Sequence, residues 1–168
     1  MSETLQVYRV YIKATPQAIW DAITKPEWTA KYGYTGKADF DLRPGGKHVT
    51  RPTQDYIDAG VTGDVVDGEV IEADPPRKLV LTWRMLMDPT MAAEGFTKLT
   101  YDIEETKTAG TRLTVTHDLT GAPTLAAIVS GEMENIDAGP GDNAGGGWNW
   151  ILSDLKSLLE TGDAIATH

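Results

Sequence analysis

The sequence of 168 residues contains no cysteine. Disulfides, thiol nucleophiles and thiolate metal sites are excluded, and the composition fits a cytoplasmic protein. Histidine is nearly as scarce. His48, His117 and His168 are too few and too widely separated for a metal centre, and His168 is terminal. No run of 18 apolar residues occurs, so membrane insertion is not expected. The opening Met1-Ser2-Glu3-Thr4-Leu5-Gln6 lacks the basic flank and apolar run of a signal peptide. Positive charge is in short supply: 15 bases face 25 acids, a formal charge of −10. That field repels nucleic acid phosphates and anionic membranes, and it favours solubility. Glycine-rich cofactor motifs are missing as well. Gly145-Gly146-Gly147 runs into Trp148 without a phosphate-binding lysine, so no cofactor is expected. No serine sits in a nucleophile elbow, and a Ser–His–Asp triad has no support.

What is present is organised around one stretch near the end. From Gly145 to Gly162, a helical projection puts Trp148, Ile151, Leu152, Leu155, Leu158 and Leu159 on one side. Asn149, Ser153, Lys156, Ser157 and Glu160 fall on the other. Gly162 is suited to terminate the helix. Most of what precedes reads as strand, so this helix needs a sheet to cover its apolar side. The expectation is a single α+β domain over residues 1–168, with a core at 5–162 and one curved antiparallel sheet of six or seven strands.

In chain order, residues 5–13 alternate as a strand, with Tyr8, Val10 and Ile12 on one face. Thr15 and Pro16 open a helix through Thr24, and Thr24 with Glu27 has capping-box spacing for a second short helix through Lys31. Strands follow at 35–42, 47–51, 65–73 and 78–84. The stretches 52–62 and 85–95 read as irregular. Residues 96–105 and 111–119 form a hairpin whose inner face carries Leu99, Tyr101, Ile103, Leu113, Val115 and His117. Residues 120–147 form a long connection that reads equally as a lid over a ligand or as a surface insertion.

Five segments, in order, carry a family resemblance: residues 14–27 (Ala-Thr-Pro-Gln-Ala-Ile-Trp-Asp-Ala-Ile-Thr-Lys-Pro-Glu), 41–47 (Asp-Leu-Arg-Pro-Gly-Gly-Lys), 68–84, 111–117 and 147–152. Together they resemble the SRPBCC (START/Bet v-like) superfamily, and within it the bacterial members of the group named for the activator of heat-shock protein 90 ATPase. The resemblance implies a helix-grip fold: a curved sheet wrapped around the C-terminal helix, with two short helices after the first strand. It also implies an apolar cavity between sheet and helix that takes a hydrophobic small molecule. Cyclase or hydrolase activity, and a chaperone partner in a stress response, are the other functions it brings. It carries no invariant catalytic set.

The residues expected to line such a cavity are Trp28, Tyr32, Trp83, Met85, Tyr101, His117, Trp148, Ile151 and Leu155, with Met87 and Met91 nearby. Each serves equally well as ordinary core. His117, inward at a strand end, and His48 are the candidate acid–base groups; the alternative is an imidazole bonded to backbone or water. Asp55, Asp58 and Glu69 are candidate carboxylate partners or solvated acids. Trp150 projects away from the apolar stripe; it either packs against an adjacent strand or loop or forms part of a protein interface such as a homodimer.

Overall fold

The computed structural model describes residues 4–130 and 147–165. The elements run β1 (Leu5–Ile12), α1 (Pro16–Thr24), α2 (Pro26–Thr29), β2 (Lys37–Phe40), β3 (Lys47–Arg51), α3 (Gln54–Asp58) and β4 (Val66–Asp74). They continue with β5 (Lys78–Met85), α4 (Pro89–Glu94), β6 (Thr97–Glu105), β7 (Thr111–Asp118), α5 (Pro123–Val129) and α6 (Gly147–Thr161). The fold is α+β. Seven strands form one curved antiparallel sheet in the order β1-β7-β6-β5-β4-β3-β2, and α6 packs on it.

Alternation decides the faces. Along β7, Thr111, Leu113, Val115 and His117 are buried while the residues between them keep surface. Register then aligns the inward residues of neighbouring strands into rows. One row runs Leu81, Leu99, His117 and Gln6; the next runs Leu79, Tyr101, Val115 and Tyr8. The concave side is closed by Trp148, Leu152, Leu155 and Leu158 of α6 and by Ile19, Trp20 and Ile23 of α1. Gly162, with φ of +88°, ends α6 as expected.

Several local expectations are corrected. The stretch 52–62 contains α3, capped by the Thr53 hydroxyl accepting from the Tyr56 N–H at 3.3 Å. The stretch 85–95 contains α4, capped by Asp88, whose carboxylate accepts from the N–H groups of Thr90 and Met91. The Thr24–Glu27 capping box does not form. The Thr24 hydroxyl donates back to the Trp20 carbonyl at 2.8 Å, and α2 begins after Lys25 and stops at Thr29. β2 is shorter than expected because Thr35 takes a left-handed φ of +59°, which breaks the extended run. Within 120–147, Pro123–Val129 forms α5, which buries Leu125, Ala126 and Val129. The rest of that connection, from 131 to 146, lies outside the described residues, and with it most of the expected lid.

α5 is fixed at its first turn and at its middle. The Glu94 carboxylate of α4 accepts from the N–H groups of Thr124 and Leu125, at 3.0 and 3.2 Å. The buried Gln6 amide on β1 donates to the Ala126 carbonyl at 3.0 Å.

Candidate functional site

The polar centre of the concave face is His117, fully buried on β7. Two of its neighbours are ring systems at right angles: Trp83, with centroids 5.5 Å apart, and Trp148, at 6.0 Å. Its hydrogen bonds determine its tautomer. The Trp148 indole can only donate, and it lies 3.1 Å from Nδ1. On the other side, Nε2 sits 2.8 Å from the Thr97 hydroxyl. That hydroxyl donates to the Trp83 carbonyl at 2.9 Å, so it accepts from Nε2–H. The imidazole is therefore neutral, with both nitrogens engaged. Burial pushes its pKa down to about 4, against a weaker upward pull from the Asp118 carboxylate.

This geometry does not suit a general acid or base. A second proton on Nδ1 would meet the indole N–H, and neither nitrogen faces open space.

His48 on β3 is also buried, stacked on Phe40 with centroids 5.3 Å apart. Its Nε2 donates to the Thr82 carbonyl at 2.6 Å, and burial lowers its pKa. Gly68, opposite it on β4, makes room: a Cβ there would stand 1.9 Å from the Thr82 oxygen and 2.5 Å from His48 Nε2.

The carboxylates are elsewhere. Asp55 and Asp58 are exposed on α3, and Glu69 is exposed on the outer face of β4. None of them hydrogen-bonds to either histidine. Among the described residues, no group of three or more ligating side chains could hold a metal ion.

The expected lining residues divide into two sets. His117, Trp148 and Leu155 are buried. Trp28, Tyr32, Trp83, Met85, Tyr101 and Ile151 are half-buried and packed against the core. Not all of these face the sheet. Trp28 lies under the Lys31 ammonium at 4.5 Å, and Ile151 fits against Gly33. Met91 is buried on α4, whereas Met87 is 42% exposed. Trp150 is half-buried.

Tyr101 stands in the middle of the sheet. Its same-strand neighbours on that face, Leu99 and Ile103, are buried, as are its cross-strand partners Leu79 and Val115. Tyr101 nevertheless keeps accessible surface. A residue surrounded by buried neighbours can be accessible only by bordering a space on the concave side. The Trp148 ring stands edge-on to it, with centroids 6.1 Å apart. Burial pushes the pKa of both Tyr32 and Tyr101 up, and for Tyr32 the nearby Tyr101 adds to the shift. The Tyr32 hydroxyl donates to the Ala22 carbonyl at 2.9 Å.

Sequence reasoning missed Asp154. It is fully buried on α6, and its carboxylate accepts from the N–H of Gly33 at 2.8 Å and of Ile165 at 2.6 Å. On the helical projection it falls beside Ile151, at the margin of the apolar stripe, which was the available signal.

A family model described as Activator of Hsp90 ATPase homolog 1-like protein matches residues 13–160. No curated protein matches the chain. Among solved structures, a protein from Mesorhizobium loti is 19% identical with a TM-score of 0.65, covering 92% of this chain and 96% of that one. The Aha1 dimer from Colwellia psychrerythraea is 19% identical with a TM-score of 0.61, covering 94% and 97%. An HSP90 activator from Plasmodium falciparum is 20% identical with a TM-score of 0.51, covering 68% and 72%. At such identities the likeness is one of fold.

Proposed function

This chain belongs to the Activator of Hsp90 ATPase homolog 1-like family, and on that premise we propose that it binds an apolar small molecule between the sheet and α6. The observation that carries this reading is the accessibility of Tyr101 although its neighbours Leu79, Leu99, Ile103 and Val115 are all buried. Trp83 and Met85 extend the half-buried apolar surface along β5, and Trp148 supplies the opposing wall from α6. Pockets of this kind are mostly apolar with a few fixed polar groups. Catalysis in the same space draws less support, because His117 is neutral and has both nitrogens occupied.

Native mass spectrometry of the purified protein, with denaturation and analysis of any released compound, tests the binding reading. A stoichiometric apolar compound supports it. An empty protein whose tryptophan emission does not respond to any of a panel of apolar compounds counts against it.

A second reading is association with a chaperone ATPase in the cytoplasm, as a homodimer or a monomer. It is favoured by the family description, by the Plasmodium protein's description as an HSP90 activator and, for the homodimer, by the Colwellia protein's description as a dimer. Sedimentation of this chain alone and with a purified Hsp90-type ATPase at low salt tests it. This chain sedimenting as a free monomer in both runs removes it.

A further inference from the structure

Hydrogen-bond donors around the concave face are almost all committed. The Trp148 indole N–H goes to His117, the His117 Nε2–H to Thr97, and the Thr97 hydroxyl to the Trp83 carbonyl. The Tyr32 hydroxyl goes to Ala22, and the Tyr8 hydroxyl to the Gln6 side chain at 2.5 Å. Two donors are exceptions: the Trp83 indole N–H and the Tyr101 hydroxyl bond to none of the described residues, and the hydroxyl borders the space under α6. A phenol placed there without a partner would be costly unless something else meets it.

Among the described residues the charges of the central strands lie on the other side, apart from Glu105, exposed at the end of β6. Lys98, Asp102 and Glu104 of β6, Arg112 and Asp118 of β7, and Asp67 paired with Arg84 on β4 and β5 alternate outward from the inward rows. Asp154, the buried acid of α6, is spent on two backbone N–H groups. A ligand carboxylate or ammonium would find no counter-charge among these residues and would bear its desolvation cost alone.

We infer that the Tyr101 hydroxyl is the polar anchor of the site, donating its hydrogen to a carbonyl oxygen carried by an otherwise apolar, uncharged ligand. This rests on the apolar-ligand reading above and adds the chemistry that the ligand must present. Burial keeps the phenol protonated, and so a donor, across the whole working pH range. The Trp148 edge, at right angles to the Tyr101 ring, fixes the ring's orientation from the helix side.

The test uses two compounds of nearly the same shape, 2-acetylnaphthalene and 2-isopropenylnaphthalene, which differ in a carbonyl against a terminal methylene. Dissociation constants come from quenching of tryptophan emission, for the natural protein and for Tyr101→Phe. The ketone is expected to bind the natural protein about fivefold to tenfold more tightly than the alkene. Tyr101→Phe is expected to abolish that preference while leaving the alkene's affinity unchanged. Its thermal midpoint should also stay put, because the hydroxyl it removes bonds to none of the described residues. Binding of both compounds with no preference, or with a preference that survives Tyr101→Phe, overturns the anchor and leaves the apolar-ligand reading standing. Failure of both compounds to bind overturns the two together.

Discussion

The indole N–H of Trp148 on α6 donates to Nδ1 of His117 on β7 across 3.1 Å. It is a buried polar pin between the helix and the sheet, distinct from the exposed bonds that Lys156 and Glu160 make to the backbone of Tyr11 and Lys13. Apolar contacts tolerate sliding; a directional bond to one nitrogen does not. The position of α6 along the sheet, and with it the shape of the space beneath, depends on this pair.

Trp148→Phe should therefore cost more than the lost ring area, because it leaves a buried nitrogen acceptor without its donor. A penalty of about 1–3 kcal/mol is expected for that group alone. Urea denaturation of Trp148→Phe, His117→Leu and the double variant checks it, with a coupling of about 1 kcal/mol or more as the expected result. Additive losses would mean that the bond contributes nothing.

The depressed pKa of His117 makes stability pH-dependent with a definite sign. Above the unfolded value of about 6.5 both states are neutral and the full stability is present. As pH falls from there towards about 4, the unfolded chain takes up a proton that the native state refuses, and stability falls. The total loss from this group is on the order of 3 kcal/mol. His48 is shifted in the same direction and adds to it. Denaturation midpoints from pH 4 to pH 7 should rise with pH, and the His117 imidazole resonances should titrate near pH 4.

Asp154→Asn should destabilise the protein by about 1–3 kcal/mol although it changes one atom. The carboxylate accepts from two N–H groups on opposite oxygens; an amide offers one oxygen and points a donor at the other N–H. Hydrogen exchange should accelerate at Gly33 and Ile165 together. Acceleration at only one of them would show that the amide rotates to keep the other.

Gly68→Ala should be among the most damaging small changes on β4. The new methyl group would stand 1.9 Å from the Thr82 carbonyl oxygen, which is backbone and cannot swing away. Overpacking of this kind costs typically 1–3 kcal/mol, and about 3 kcal/mol or more is expected here. The thermal midpoint checks it.

Alternation and turn chemistry made the sheet legible. The parity of Leu113, Val115 and His117 was enough to turn His117 inward, and the periodicity of 148–159 was enough to define the buried side of α6. The short helices were less visible. Asp88 followed by Pro89 is a recognisable helix start, but three methionines around a proline resemble a loop more than an apolar stripe. The site itself was legible as a set of residue types but not as a set of bonds. Which nitrogen of His117 meets Trp148, and that the Tyr101 hydroxyl has no partner among the described residues, depend on distances between strands that no local pattern encodes. Asp154 was hidden for the same reason: its partners, Gly33 and Ile165, belong to other segments of the chain.

β1 pairs with β7, so residues 5–12 find their partner only in residues 111–118. On the ribosome, the first strand emerges long before the strand that completes it, and α6, which packs on β1, arrives later still. Throughout that interval the inward Tyr8, Val10 and Ile12 have no cover. Folding must then wait for closure of a loop that spans most of the chain, which makes it slow for a protein of this size. The nascent chain is thus a natural client for holding factors during its own synthesis.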